Sequence, residues 1–127
     1  MKKDKKFQIV LDTFSGVPFY KQIIEQIKYG IANKKLTSGF QLPTVRQLAV
    51  DLTINSNTVS KAYKELEILG YIETQQGTGT FIGNKKIVIS EIERQEKIKS
   101  LVREIVNKAN LYGITIDEIK KALEEVE

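Results

Sequence analysis

The chain has no cysteine, no histidine and no tryptophan among its 127 residues. Without cysteine there is no disulfide framework and no thiolate nucleophile. Without histidine, the most frequent general base and a principal zinc ligand are missing as well. An enzyme of this composition would depend on carboxylates and lysines alone, so we expect no catalytic residue, no metal site and no cofactor. The composition therefore favours a binding protein over an enzyme.

Long hydrophobic runs are also absent. The apolar stretches are only a few residues long, far below the roughly 20 residues that a membrane-spanning helix needs. The basic start at residues 1–6 has no apolar segment behind it, unlike a secretory signal peptide. We therefore expect a soluble, cytoplasmic protein with no membrane partner.

The positive charge is confined to one part of the chain. Lysine and arginine number 20 against 16 acidic residues, a formal net charge of +4. Residues 1–82 carry eleven basic and seven acidic side chains, whereas residues 83–127 carry nine of each. A basic excess suits a surface that faces nucleic-acid phosphates, although a charge of this size can also serve solubility alone.

Two short adjacent helices are predicted in the middle of the chain. Thr44 and Gln47 form a capping box at the start of the first. After a three-residue turn, Asn55 or Ser56 caps the second helix, which Gly70 ends. In both segments apolar residues recur at helical spacing, so each helix should bury one face.

The flanking segments complete the predicted domain. A longer helix should run from Pro18 to about Ala32 or Asn33, after a short apolar run at residues 7–11 that suits either a strand or an extended arm. Residues 34–41 read as a connector. Two short strands are predicted at residues 71–74 and 80–82, around a loop rich in glycine.

A helix, a tight turn, a polar-tipped second helix and a glycine-tipped hairpin, in that order, are the parts of a winged helix-turn-helix. That fold places its second helix in the major groove of DNA and a loop beside it. We therefore predict an α+β winged helix-turn-helix domain over residues 1–83.

The side chains suited to DNA lie off the apolar stripes and at the wing tip. Small polar or basic residues open the second helix, and the arginine of the first helix could grip a phosphate or a guanine. Two glycines let the wing backbone approach DNA closely. Each feature also has a plainer reading: a capped surface helix, a solvated arginine, an ordinary hairpin turn. The residues that this pattern assigns to DNA are Arg46, Ser56, Asn57, Thr58, Lys61, Gly77, Thr78 and Gly79.

The segment after residue 83 is predicted to hold two more helices. One covers residues 87–111, and the second starts at a capping box of Thr115 and Glu118, after a break at Gly113. A helical hairpin this short cannot bury both apolar stripes alone. It must pack on the winged domain or on a second copy, and a two-fold symmetric operator favours the homodimer. We therefore assign residues 84–127 to dimerisation, through Ile98, Leu101, Val102, Ile105, Ile116, Ile119 and Leu123.

Taken together, these segments resemble the GntR family of bacterial transcription regulators. The similarity covers roughly residues 7–83 and is carried by the strings PFYKQI from Pro18, LPTVRQLA from Leu42, NTV from Asn57 and GTGTFI from Gly77. The short two-helix tail is similar to that of the YtrA-like subfamily.

The resemblance implies a dimeric repressor, often of genes for ABC-type transporters or cell-envelope stress functions. It also implies DNA contacts at Thr44 and Arg46, at the start of the recognition helix and at the wing glycines. Many relatives carry arginine or lysine where Ser56 stands.

The function predicted is sequence-specific DNA binding by a homodimer on a palindromic operator, with repression as its result. A winged-helix protein docking module is the alternative, and it would not need basic side chains on the recognition helix and wing. The sequence indicates no particular small-molecule effector.

Overall fold

The computed structural model describes residues 7–126, so the basic segment at residues 1–6 lies outside the described residues. The chain divides into two compact units, of which the first ends at Val88 and the second begins at Ile89. Together the described residues form five helices and one three-stranded sheet. The predicted α+β winged helix-turn-helix is confirmed.

The first helix, α1, spans Phe19–Ala32, as its apolar spacing predicts. Pro18 is its N-cap, one position outside the helix, with φ −55° and ψ 143°. The arm at residues 7–12 belongs to none of the strands of the sheet. Phe7, Ile9 and Leu11 alternate along this arm and pack against the core while the residues between them are more exposed.

The helix-turn-helix consists of α2 at Val45–Leu52 and α3 at Ser56–Ile68. Only half of the predicted capping box at Thr44 forms. Thr44 Oγ1 accepts from the N–H of Gln47 at 3.0 Å, but the Gln47 amide turns forward and donates to Asp51 Oδ1 at 2.8 Å. In a complete capping box the Gln47 side-chain oxygen would accept from the Thr44 N–H. The side chain instead donates to a carboxylate one turn ahead, and a hydrogen bond to a charged acceptor is the stronger of the two.

The ends of α3 follow the prediction. Asn55 is the N-cap, and its side chain accepts from the N–H of Asn57 at 2.7 Å. At the other end Gly70 has φ +88°, a conformation that glycine adopts without steric cost. Tyr71 N–H donates to the carbonyl of Leu66, which closes a Schellman motif.

The sheet contains three strands, one more than predicted. β1 is Gln41–Leu42, β2 is Ile72–Gln75 and β3 is Gly79–Ile82, in the antiparallel order β1-β3-β2. The prediction that residue 41 ends a plain connector was wrong. A strand of two residues ahead of a proline is too short to show alternation, so only its pairing with β3 identifies it.

The core of the first unit lies between the three helices and is closed on one side by the sheet. α3 is central, because it packs against both α1 and α2 and then leads into β2. The largest fully buried side chains are Ile23, Ile27, Leu36, Val59, Leu66 and Ile72. This packing fixes α2 and α3 relative to one another and leaves their polar faces outside.

The second unit holds α4, Glu91–Leu111, and α5, Ile116–Glu124. The predicted start of α4 at residue 87 was wrong by four positions. Ser90 is the N-cap, with its side chain accepting from Glu93 N–H at 3.0 Å. The capping box of Thr115 and Glu118 is confirmed in both directions. Within the described range, no helix is long and apolar enough to cross a bilayer.

Candidate nucleic-acid interface

The start of α3 presents a polar surface. Ser56, Asn57 and Lys61 are exposed there, and Thr58 is half-buried. The Thr58 N–H donates to the Asn55 carbonyl at 3.0 Å, so the first turn is already closed on the cap. A helix N-terminus carries partial positive charge, which suits a DNA backbone. These side chains therefore have the chemistry for base edges and phosphates.

Arg46 lies next to this helix start. An open groove runs along α2, the turn and the beginning of α3, and Arg46, Asn55 and Ser56 are among its lining residues. Arg46 is exposed, and none of the hydrogen bonds or ion pairs found among residues 7–126 involves its guanidinium. A planar donor group with this freedom can engage a phosphate or guanine bidentately.

Thr53, in the turn, takes the left-handed conformation with φ 58° and ψ 48°. A β-branched residue pays more for this conformation than glycine or asparagine. Its N–H donates to Val50 and that of Ile54 to Ala49, so the turn closes tightly on α2. This tight turn places the end of α2 beside the start of α3, so that residues of both line the groove.

Thr44 stands exposed at the N-cap of α2, and the loop before it is attached to α3. The Tyr63 hydroxyl donates to the Pro43 carbonyl at 2.7 Å. Burial raises the pKa of this phenol well above its ordinary value, which keeps it a donor. Tyr63 thus sets the position of the α2 N-terminus against the middle of α3, a role that its place on the apolar stripe did not reveal.

Lys61 has a partner that the sequence did not predict. Its Nζ lies 3.9 Å from the centre of the Tyr20 ring, at the start of α1. This cation–π contact holds an exposed ammonium in place. No spacing rule connects residues 20 and 61, because the contact depends on the packing of α1 against α3.

The wing tip joins β2 to β3 through Gln76, Gly77 and Thr78. The Thr78 N–H donates to the Gln75 carbonyl at 2.9 Å, and Gly77 has φ +78°. Gly77 and Thr78 are exposed, and Gly79 is half-buried. The Gln41 amide donates to the Thr78 carbonyl at 3.2 Å. Sequence reasoning missed Gln41 because it lies in the strand that was not predicted.

Lys85 is a second cation with an aromatic neighbour. Its Nζ donates to the Leu69 carbonyl at 2.8 Å and lies 4.9 Å from the centre of the Tyr71 ring. A cation at the C-terminal end of a helix is stabilised by the helix dipole. Lys85 therefore serves the base of α3, and the DNA-facing candidates remain those at its other end.

The described residues contain no group of three or more acidic side chains placed to hold a metal ion. The polar chemistry of this surface is that of amides, hydroxyls and cations. Such groups recognise phosphates and base edges by hydrogen bonding, without covalent steps.

Comparison with known proteins agrees with this geometry. The pattern of the family described as "Bacterial regulatory proteins, gntR family" matches residues 19–82. The HTH-type transcriptional repressor YtrA of Bacillus subtilis (strain 168) is 38% identical over 119 residues, which covers 93% of this chain and 91% of that protein.

Two solved structures are similar as well. YtrA from Sulfolobus acidocaldarius, a GntR-family transcription factor, superposes with a TM-score of 0.56 at 32% identity, covering 81% of this chain and 97% of the other. The DNA-binding domain of AraR in complex with operator ORE1 gives a TM-score of 0.50 at 30% identity, over 61% of this chain and 94% of that one.

Proposed function

The chain belongs to the GntR family of bacterial regulatory proteins and is a DNA-binding transcriptional regulator, and from this premise we propose that it represses transcription by binding a palindromic operator as a homodimer. The observation that carries the proposal is the groove that joins Arg46 to the start of α3. The similarity to a transcriptional repressor over 93% of this chain supports repression rather than activation. The proposal includes no catalytic activity. It places the protein in the cytoplasm, where bacterial DNA lies.

The DNA contacts in this proposal come from three elements. The start of α3 reads base edges in the major groove, with Asn57 suited to adenine and Thr58 to a thymine methyl or a phosphate. Arg46 and Thr44 approach from the start of α2. Lys61 contributes charge, and the wing tip at Gly77–Gly79 contacts the adjacent backbone or minor-groove edge. The similarity to a DNA-binding domain solved with its operator supports this arrangement.

The dimer in this proposal is built from the second unit. Its apolar side chains are exposed in the single chain: Leu101, Val102 and Leu123 retain between 52% and 56% of their accessible surface, and Ile98, Ile105 and Ile116 between 42% and 44%. Ile119 is half-buried. So many large aliphatic groups on one helical hairpin favour burial against a second copy. Two copies would set the spacing between half-sites.

Salt dependence tests the DNA-binding part. If a dimer neutralises several phosphates, log K should fall with log salt by about 0.9 for each of them. A gel-shift or anisotropy series on an operator mapped upstream of the chain's own gene, against a scrambled duplex, measures this slope. Specific binding with a steep slope supports the proposal. No duplex binding even at low salt would instead favour a winged-helix docking module.

A further inference from the structure

We propose that Gln41 is a positioning residue for DNA binding: its carboxamide sets the pose of the wing tip. The proposal rests on the proposed function, because the wing matters here only if it meets DNA. It gives a role to a residue of β1 that lies outside the predicted DNA-binding set. It also gives the two wing glycines different roles: Gly77 permits the turn, and Gly79 leaves room for the Gln41 amide. The hydrogen bond from Gln41 to Thr78 is called the brace below.

The sheet register shows how Gln41 reaches the wing. Gln41 pairs with Phe81 across β1 and β3. Gly79 precedes Phe81 by two residues, so it lies on the same face of β3, diagonal to Gln41. A long side chain on β1 can therefore extend across Gly79 toward the tip. There its Nε2 donates to the Thr78 carbonyl at 3.2 Å.

Gly79 leaves the space that this side chain occupies. A Cβ at position 79 would collide with the Gln41 Nε2 and would lie 3.6 Å from Phe81 Cζ. The φ of Gly79 is +142°, which L side chains rarely adopt. A side chain at position 79 would therefore displace the Gln41 amide, the end of a flexible side chain, from this place, and would also strain the backbone.

Gly77 has a different surrounding. A Cβ there would meet nothing within 4 Å, so its φ of +78° is the only demand on that position. Gly77 serves the turn, whereas Gly79 serves the contact with Gln41. This difference is absent from the sequence, where the two glycines flank one threonine symmetrically.

Few other contacts hold the tip among the described residues. The Thr78 N–H bonds to the Gln75 carbonyl within the turn itself. Thr74 and Thr80 place their hydroxyls 3.5 Å apart further down the hairpin. Within residues 7–126, the hydrogen bond from Gln41 is the one that attaches the tip to a strand outside this hairpin. Without it the tip should be free to pivot on β2 and β3, and DNA would have to order it on binding.

Gln41→Met tests the brace in the full-length protein, because methionine keeps the length of the side chain and removes its donor. Gln76→Met, in the tip itself, is the matched control for loss of a wing amide. Two quantities are compared: the ¹⁵N heteronuclear NOE of residues 77–79 without DNA, and affinity for a duplex selected by the wild-type protein from a randomised pool.

We expect Gln41→Met to lower the NOE at the tip and to weaken duplex binding by about three- to tenfold, with an unchanged melting temperature. Gln76→Met should leave the NOE unchanged. An ordered tip in Gln41→Met, or wild-type affinity despite a disordered tip, overturns the brace. If the wild-type protein selects no duplex, the proposed function fails, while the NOE comparison still decides whether Gln41 orders the wing.

Discussion

The side-chain amide of Gln26 pairs with both main-chain polar groups of Val10. The Val10 N–H donates to Gln26 Oε1 at 3.0 Å, and Gln26 Nε2 donates to the Val10 carbonyl at 2.7 Å. Gln22, one turn earlier on α1, does the same for Asp12, at 2.8 and 3.0 Å. Two glutamines on a helix thus act toward the arm as the edge of a neighbouring strand would.

Gln22→Ala should destabilise the protein more than Gln26→Ala. Gln22 is only 7% exposed, and its Nε2 also donates to the Val17 carbonyl at 2.9 Å. Its loss removes three hydrogen bonds to partly buried main-chain groups, which costs about 1–3 kcal/mol, whereas the more exposed Gln26 pair should cost under about 1 kcal/mol. Urea unfolding measures the loss of unfolding free energy in each variant, compared at the same m-value. Equal losses in the two variants would contradict a buried role for Gln22.

Tyr63→Phe should lower the free energy of unfolding by about 1 kcal/mol, because the Pro43 carbonyl loses its donor. The variant keeps the ring and its packing, so the change isolates the hydroxyl. It should also loosen the start of α2, which hydrogen exchange of the first α2 amides would detect. Unchanged stability and exchange would show that water replaces the phenol at no cost.

The same phenol makes stability depend on alkaline pH. Its pKa is raised in the folded protein, so the unfolded chain releases this proton first, near the ordinary tyrosine pKa of about 10. The contribution is therefore complete below about pH 10 and is lost as pH rises above it. Unfolding curves at pH 9 and pH 11 should show a smaller fall for Tyr63→Phe than for wild type. The remaining tyrosines are common to both proteins and cancel in the difference.

Arg46→Ala should weaken operator binding by about 1–3 kcal/mol if the guanidinium bonds a guanine bidentately. If Arg46 meets only phosphate, specific and scrambled duplexes should weaken alike. Anisotropy titrations with both duplexes separate the two cases. Arg94→Ala on α4 is the matched loss of one exposed arginine and should leave affinity nearly unchanged. Wild-type affinity in a folded Arg46→Ala protein would remove Arg46 from the interface.

Leu101→Glu should convert the proposed dimer into a monomer, because it places a charge in the apolar stripe of α4. Asn107→Glu, exposed on the opposite side of the same helix, changes the charge equally and should leave the dimer intact. Sedimentation or light scattering reads the mass. Operator affinity should fall when the dimer is lost, since the subunits that bind the two half-sites are then no longer linked. A dimeric Leu101→Glu protein would move the interface elsewhere.

The helices were predictable because apolar residues at a spacing of 3.6 have one stable solution, a buried face. Caps made the ends predictable where the side chain bonds locally, as at Asn55 and Thr115. The start of α4 was predicted four residues too early, because the apolar pattern begins before the cap does. Three β-branched residues at positions 87–89 extend the apolar pattern, but Ser90 supplies the cap that begins the helix.

Contacts between distant segments were not predictable from spacing. Gln22 stands among the apolar residues of α1 and is buried there only because the arm passes over it. Gln41, Lys61 and Lys85 likewise find partners far along the chain, which become neighbours only after the helices and sheet have packed. The candidate surface was thus foreseen in its residue types, while the groups that hold it in place were not.

Lys85 has a mechanical consequence. It stands in the segment that leads from the wing toward α4, and its ammonium grips the last turn of α3 through the Leu69 carbonyl. This hydrogen bond ties the segment to the base of the helix proposed to read DNA. The Gly83 N–H, bonded to the Tyr71 carbonyl at 2.9 Å, reinforces the same point. The segment that follows the wing is therefore fastened to the end of α3 at two neighbouring points, the Leu69 and Tyr71 carbonyls.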